Sequence, residues 1–584
     1  MSSEQLDHSI SRRTLLFATI VFAVIARTAS AFQQTSAAVS FSRGVVAADH
    51  AAASEAGAKI LRQGGNVVDA AVATSFALSV VRPASCGIGG GGFMVIWDAK
   101  AQKPIALDYR ERSPAFATRD RFGGTADADL PEPRSVRGGL AAGIPGTVAG
   151  LCYAAEKYGT LPIATLVQPA IDLCRDGVEI DAHDQEVQDS TLVKLAKHDG
   201  YQPRFAELLK GYLNGGKPWK TGDRFYSPQL KTLELIAQHG ADGFYEGRVA
   251  TAITATVAAE SGVLSLADLD GYVPTERMPL TAEFHGRRLI TMPPPSSGGV
   301  VLLQTLQSLE AWESLHHQPL NELGHNSANY VHVVAEALKH SFADRAEFLG
   351  DTDFADVPIA RMLSREYAQQ IAASISPDHT LPMENYGRFF SQSDGGTSHF
   401  SVMDAAGNAV ACTETINLTF GSFVVVPEYG IVLNNQMDDF AAEPGKSNAF
   451  GLIQSEANAI APGKKPLSSM TPTIVLQHGK ATYACGASGG PRIITATLQS
   501  LLNHTVFGME PAAAVTAPRF HHQWSPNELL LEPVLMQQSG KALTIIGHAT
   551  KRTSSLAATQ AAMLSNGKLF GGSDPRKHGT PAGH

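Results

Sequence analysis

The chain has 584 residues, 44% hydrophobic and 17% charged, with 54 Gly and 32 Pro. That composition is ordinary for a globular protein, and the length exceeds the ~250–300 residues one core usually serves, so a large α/β unit or two packed halves is expected. A formal net charge of -9 offers no basic field to a phosphate backbone and argues against a nucleic-acid partner.

In chain order, the first feature is an export signal. Arg12-Arg13 precede an apolar run over 15–26, and Ala29-Ser30-Ala31 supplies small residues for cleavage. The run is too short to span a bilayer but fits a signal h-region. The paired arginines point to twin-arginine export. Residues 1–31 are therefore read as removed, leaving a mature protein without a stable membrane span, in a periplasm or outside the cell.

Residues 51–63 are Ala-rich and close on Gly64-Gly65, a helix with a glycine stop. Asp69 can cap a second helix over 70–80, apolar all round and so buried. Gly87-Ile88-Gly89-Gly90-Gly91-Gly92 contains GxGxxG, but a helix precedes it and a strand-like 93–97 follows. That is the reverse of a dinucleotide site, and a turn with close backbone approach is the better reading. Residues 136–260 read as mainly helical, 293–299 as a break, 325–348 as a long helix and 372–396 as an exposed loop, with strands dominating beyond it. The five cysteines (Cys86, Cys152, Cys174, Cys412, Cys485) form no CxxC pair. They read as buried small side chains, with a Cys152–Cys174 disulfide left open. No metal-ligand set is recognisable; His521-His522 reads as packing.

Residues 397–404 alternate as a strand, Ala405-Ala406-Gly407-Asn408 turns, and 409–416 returns. A hairpin centred on Ala406 pairs positions whose numbers sum to 812 and sets Thr397 against Thr415, with Cβ atoms ~4.5–5.5 Å apart. Alone, this is an ordinary hairpin with two threonines on one face. It also permits Thr397 to attack the carbonyl of Gly396 and become a new N-terminus. Its freed amine, titrating near ~7.7–8.0, can then serve its own hydroxyl as base.

The wider sequence decides between these. Thr397-Ser398-His399-Phe400-Ser401-Val402 resembles the start of the small subunit of γ-glutamyltransferases. So do Leu433-Asn434-Asn435-Gln436-Met437-Asp438-Asp439-Phe440, Pro466-Leu467-Ser468-Ser469-Met470, Gly486-Ala487-Ser488-Gly489-Gly490 with Pro491-Arg492-Ile493, and Ala517-Pro518-Arg519-Phe520. Upstream, Gly64-Gly65-Asn66, Asp108-Tyr109-Arg110-Glu111 and Gly143-Ile144-Pro145-Gly146-Thr147 match as well. The resemblance spans about residues 44–575.

It implies an N-terminal-nucleophile hydrolase with a four-layer αββα sandwich, no cofactor, and self-cleavage between Gly396 and Thr397. The products would be a large fragment, 32–396, and a small one, 397–584, that stay together. The chemistry implied is transfer of a γ-glutamyl group from glutathione or related compounds to water, an amino acid or a dipeptide. Thr397 would form the γ-glutamyl ester, with Thr415 orienting it. Gly489 and Gly490 would give backbone N–H groups to the oxyanion. Arg110, Ser468 and Ser469 would meet the α-carboxylate, and Asp439, Gln436 and Asn417 the α-amine. Residues 444–453 resemble the family's lid, but its usual tyrosine is Phe450, which lacks a hydroxyl to bond a partner such as Asn417.

Three alternatives stand beside this. One is an acylase of the same fold acting on glutaryl- or cephalosporin-type amides. The second is a poly-γ-glutamate-processing enzyme. The third is an exported binding protein without catalysis. Intact Asp439 and Gln436 argue against the first, and Thr397 after Gly395-Gly396 against the last.

Overall fold

A computed structural model describes residues 39–122, 132–387, 396–441 and 456–584. The expected export signal (1–31), Phe450 and the lid segment lie outside the described residues.

Two seven-stranded antiparallel sheets form the centre. In the first, the order is Ala582–Gly583, Gly44–Ala48, Ser398–Asp404, Ala409–Thr415, Gly91–Asp98, Lys103–Tyr109, Thr275–Arg277. In the second it is Ser40–Phe41, Lys568–Ser573, Ala558–Ser565, Lys480–Ser488, Thr473–Gln477, Arg287–Thr291, Leu280–Phe284.

Strand periodicity builds the layers. In Ser398–Asp404, Phe400 and Val402 join the core beneath the helices Val67–Val81 and Thr147–Tyr158, while Met403 joins the core between the sheets. That inner core also holds Phe93, Trp97, Ile290, Ile474 and Ala484. The second sheet's outer face packs on Gly298–His316 and Arg492–Thr505. The result is the expected αββα sandwich, each sheet burying one face on helices and the other on its partner sheet.

Local chemistry explains several boundaries. The second helix is Val67–Val81, and its cap is Asn66 rather than Asp69. The Asn66 side chain accepts from the N–H groups of Val68 and Asp69, and the Asp69 carboxylate accepts from Asn66 N, a capping box. The glycine run is the close-approach turn its order suggested. A Cβ on Gly89 would stand 2.1 Å from the Val432 carbonyl oxygen, and one on Gly90 2.1 Å from that of Thr415.

Other expectations need correction. The 293–299 break is shorter than expected, because the helix Gly298–His316 starts within it. The loop expected over 372–396 starts later, because the helix Arg365–Ser374 takes its first residues, and over 375–387 it is exposed in part but anchored: Ile375 and Tyr386 are buried, Trp524 Nε1 donates to the Met383 carbonyl at 3.1 Å, and Thr380 N donates to that of Ile546 at 2.9 Å. The helices Arg492–Thr505, Pro511–Thr516 and Pro533–Ile545 interrupt the strands after Thr397. All five cysteines are free thiols.

Candidate active site

The hairpin has the register read from its turn: Ser398 faces Glu414 and Met403 faces Ala409. Gly407, at φ 92°, makes the turn. Thr397 and Thr415 stand at its open end, both buried. Their hydroxyl oxygens are 3.2 Å apart. Each hydroxyl donates to the carbonyl of Gly396, Thr397 Oγ1 at 2.7 Å and Thr415 Oγ1 at 2.8 Å. Thr415 Oγ1 also accepts from Asn417 N at 2.8 Å, which fixes its rotamer. The bond before Thr397 is thus polarised by two hydroxyls, one of them on the neighbouring strand.

This pair opens on a pocket lined by Arg110, Arg345, Asn417, Gln436, Asp439, Ser468, Ser469 and Gly490. Arg110 arrives at the end of the strand Lys103–Tyr109, and Gln436 and Asp439 on the 3-10 turn Gln436–Asp439. Gly489 and Gly490 follow the strand Lys480–Ser488 and precede the helix Arg492–Thr505, at φ 132° and 58°. Gly489 backs onto Ala557, where a Cβ would come within 2.9 Å. The structure therefore brings every candidate catalytic and pocket residue that it describes to one place.

The pocket is charged in two halves. Arg110 Nη2 pairs with Asp439 Oδ2 at 2.5 Å, and Gln436 Nε2 donates to the same oxygen at 2.8 Å. That bond turns the Gln436 carbonyl the other way, and its buried Oε1 has no partner. Burial raises the Asp439 carboxyl above its usual range, with Arg110 opposing. Asn417 Nδ2 is taken by the Asn435 carbonyl at 3.0 Å. Ser468 Oγ accepts from Met470 N at 3.1 Å.

Arg345 was not foreseen. It sits on the helix Ala328–Phe348, donates from Nε to Ser297 Oγ at 2.8 Å and from Nη2 to Ser469 Oγ at 3.3 Å, and leaves its buried Nη1 unpartnered. Burial lowers its pKa to about 10, with Asp439 opposing. Its sequence signal is weak, since an arginine late in a helix ordinarily reads as solvated. An orphaned cationic donor and an orphaned amide acceptor in one pocket suit a ligand carrying both a carboxylate and an ammonium group.

Glu111 stands beside Arg110 in the Asp108-Tyr109-Arg110-Glu111 motif. It is fully buried, neither carboxylate oxygen has a hydrogen-bond partner, and Arg110 Nη1 is 3.6 Å away. Burial pushes its pKa up to about 8. On the helix side of the hairpin, Glu414 accepts from Ser75 at 2.6 Å and Tyr109 at 2.8 Å, and burial raises its pKa to about 7.

His332, Glu336 and His548 hold potential ligand atoms within 4.8 Å of one another. Glu336 Oε1 already accepts from Lys339 and Thr380, both at 2.7 Å, and Oε2 from Tyr386. His332 Nδ1 and His548 Nε2 bond each other at 2.8 Å. An ammonium stands where a metal would need the carboxylate, so the cluster reads as a polar anchor for 376–387. His521 packs against Thr495 and Gln523.

Comparison with known proteins agrees with this geometry. The family model described as Gamma-glutamyltranspeptidase matches residues 53–584. The chain is 41% identical over 540 residues to the glutathione hydrolase proenzyme of Escherichia coli strain K12, covering 91% of this chain and 90% of that one. It is 39% identical to glutathione hydrolase 2 of Arabidopsis thaliana, covering 98% and 99%. Among solved structures, cephalosporin acylase from Bacillus halodurans superposes with TM-score 0.81 at 25% identity, over 94% of this chain and 97% of that one. Helicobacter pylori gamma-glutamyltranspeptidase superposes with TM-score 0.51 at 38% identity, over 57% and 92%.

Proposed function

The chain belongs to the gamma-glutamyltranspeptidase family, and from that premise we propose that it is a self-cleaving glutathione hydrolase whose nucleophile is Thr397. One observation carries the reading. Two threonine hydroxyls converge on the carbonyl of Gly396 beside a pocket lined by two arginines, Arg110 and Arg345, and by the Asp439 carboxylate.

Cleavage begins when Thr397 Oγ1 adds to the Gly396 carbonyl carbon, with Thr415 donating to the developing oxyanion. Collapse breaks the Gly396–Thr397 C–N bond as the Thr397 hydroxyl proton passes to the leaving nitrogen, and water then hydrolyses the ester, leaving fragments 32–396 and 397–584. In turnover the freed α-amine takes the Thr397 hydroxyl proton as Oγ1 attacks the γ-carbonyl of a γ-glutamyl donor, and returns it to the leaving amine. Gly489 and Gly490 offer N–H groups to the oxyanion; one such donor is worth ~2.7–4 kcal/mol. Arg110, Arg345, Ser468 and Ser469 hold the α-carboxylate, and Asp439, Gln436 and Asn417 the α-amine. The Arg110–Asp439 pair presents an opposite charge to each end of a zwitterion. Water, an amino acid or a dipeptide then accepts the glutamyl group. Phe450 in place of tyrosine lacks the hydroxyl that could bond Asn417, which favours admission of water or bulkier acyl donors.

Cephalosporin acylase shares this fold, but a glutaryl or cephalosporin side chain without an α-amine would bring no ammonium to Asp439 and Gln436, so the glutamyl reading is preferred. Among the described residues no helix is long and apolar enough to cross a membrane, and the leader over 1–31 supports export. The test is hydrolysis of glutathione and of a γ-glutamyl anilide by the purified protein beside Thr397→Ala. The reading requires activity only in the protein with Thr397; equal activity on glutaryl and γ-glutamyl anilides would favour the acylase.

A further inference from the structure

Thr397 has a charged neighbour that none of the chemistry above uses. Lys577 Nζ donates to the Thr397 carbonyl at 2.5 Å and to Asp49 Oδ2 at 2.9 Å. Asp49 is wholly buried, and its other oxygen accepts from Gln560 Nε2 at 2.6 Å. The backbone of Lys577 is fixed as well. It ends the short turn Pro575–Lys577, capped by the Asp574 side chain, and its carbonyl accepts from Arg82 Nη2 at 3.0 Å. Arg82 is in turn held by Asp181 and Asp184, each at 2.5 Å. The Asp49 end of this ion pair is wholly buried and the Lys577 side chain is 13% exposed, so the pair is partly desolvated and held from both sides, unlike a solvated surface contact.

We propose that Lys577, held by Asp49, is a positioning residue for Thr397: it fixes the carbonyl of the nucleophile's own residue and sets the charge beside the amine that cleavage exposes. The proposal rests on the reading of Thr397 as an N-terminal nucleophile. The amine and carbonyl oxygen of one residue are three bonds apart, so an ammonium bonded to the carbonyl is a fixed charge close to the amine. Asp49 lies one hydrogen bond further off. A like charge disfavours protonation of the amine, which must be neutral to take the Thr397 hydroxyl proton. Lys577 forms no bond to substrate in this role.

The other ionisable groups on this side of the sheet are accounted for. His50 and His183 are kept neutral by burial, which lowers both to about 3. Burial pushes the Cys86 thiol up. Arg82 is committed to Asp181 and Asp184. His578 follows Lys577 directly. Glu414 lies across the hairpin with Ser75 and Tyr109, and Arg110 and Asp439 pair within the pocket.

The experiment is the pH profile of kcat/KM for a γ-glutamyl anilide in the wild type, Lys577→Met, Lys577→Arg, Asp49→Asn and Glu414→Gln. The acid limb of that profile reports the free enzyme's base. Lys577→Met leaves the Asp49 carboxylate facing the amine, so its acid limb should move up by about one pH unit, with activity recovering at high pH. Asp49→Asn should move the limb down, and Lys577→Arg should restore it. Asp49→Asn and Lys577→Arg decide the matter if Lys577→Met fails to fold or cleave. Superimposable limbs in an active wild type and in Asp49→Asn would overturn the proposal, as would a limb that vanishes in Glu414→Gln. An inactive, uncleaved wild type would instead count against the enzyme reading on which the proposal rests.

Discussion

Thr415 Oγ1 lies 3.2 Å from Thr397 Oγ1, and both hydroxyls donate to one acceptor, the carbonyl of Gly396. The second threonine therefore serves the first twice. In the proposed mechanism it polarises the Gly396–Thr397 bond and, held by Asn417 N, it orients the Thr397 hydroxyl. Thr415→Val keeps the shape and removes the donor. Self-cleavage should slow by about 10²-fold, the scale of a lost oxyanion donor, and kcat should fall with it. A time course of fragment formation on a denaturing gel reads the first effect, and turnover of the matured protein the second.

Asp439 is the partner for a substrate ammonium in this account. Asp439→Asn should raise KM for a γ-glutamyl donor by about 10–100-fold, the worth of a hydrogen bond to a charge. It should cost a glutaryl donor, which has no amine, far less. Paired kinetics on γ-glutamyl and glutaryl anilides measure the difference. Equal losses on both would remove Asp439 from amine recognition.

Glu111 gives a pH prediction of definite sign. Its native pKa, raised to about 8 by burial, lies above the ~4.3 of an unfolded chain. Between those values the native state binds the extra proton, so the stability this group contributes is complete below ~4.3 and is lost as pH rises to 8. Glu111→Gln cannot ionise. The variant should match the wild type near pH 4 and gain on it by at least about 1 kcal/mol by pH 8. Urea midpoints at the two pH values test this; a constant offset would contradict it.

Gly486 faces His399 across the sandwich. A Cβ there would stand 2.3 Å from the imidazole Cε1, and His399 is already bonded to Thr413 Oγ1 at 2.8 Å and Ser401 Oγ at 3.1 Å. The ring has nowhere to turn. Gly486→Ala should destabilise the protein by about 1–3 kcal/mol, the usual cost of overpacking, read as a lower denaturation midpoint.

Local rules made the hairpin legible. Gly407-Asn408 turns the chain, the period of two fixes the faces, and together they set Thr397 against Thr415 without reference to anything distant. The glycine run was legible for the same reason, because its order relative to the flanking helix and strand excluded a nucleotide loop. What escaped was set by tertiary contact. Arg345 reaches the pocket only because the helix Ala328–Phe348 is buried nearly all round, and Lys577 meets Thr397 across 180 positions of sequence. The polar character of 375–387 suggested solvent, whereas buried Glu336 and Lys339 hold that segment by its Thr380 and Tyr386 hydroxyls. Asn66 and Asp69 are both competent caps, and only the chain's path decides that Asn66 stands first and Asp69 closes the box.

In the proposed mechanism Thr397 itself cuts the peptide bond between Gly396 and Thr397. The direct measurement is the intact mass of the purified protein beside Thr397→Ala, with N-terminal sequencing of the smaller fragment. The account predicts two fragments in the wild type, the smaller beginning Thr-Ser-His-Phe, and a single intact chain in the variant. A wild type that stays whole after long incubation, or a smaller fragment that begins elsewhere, would contradict it.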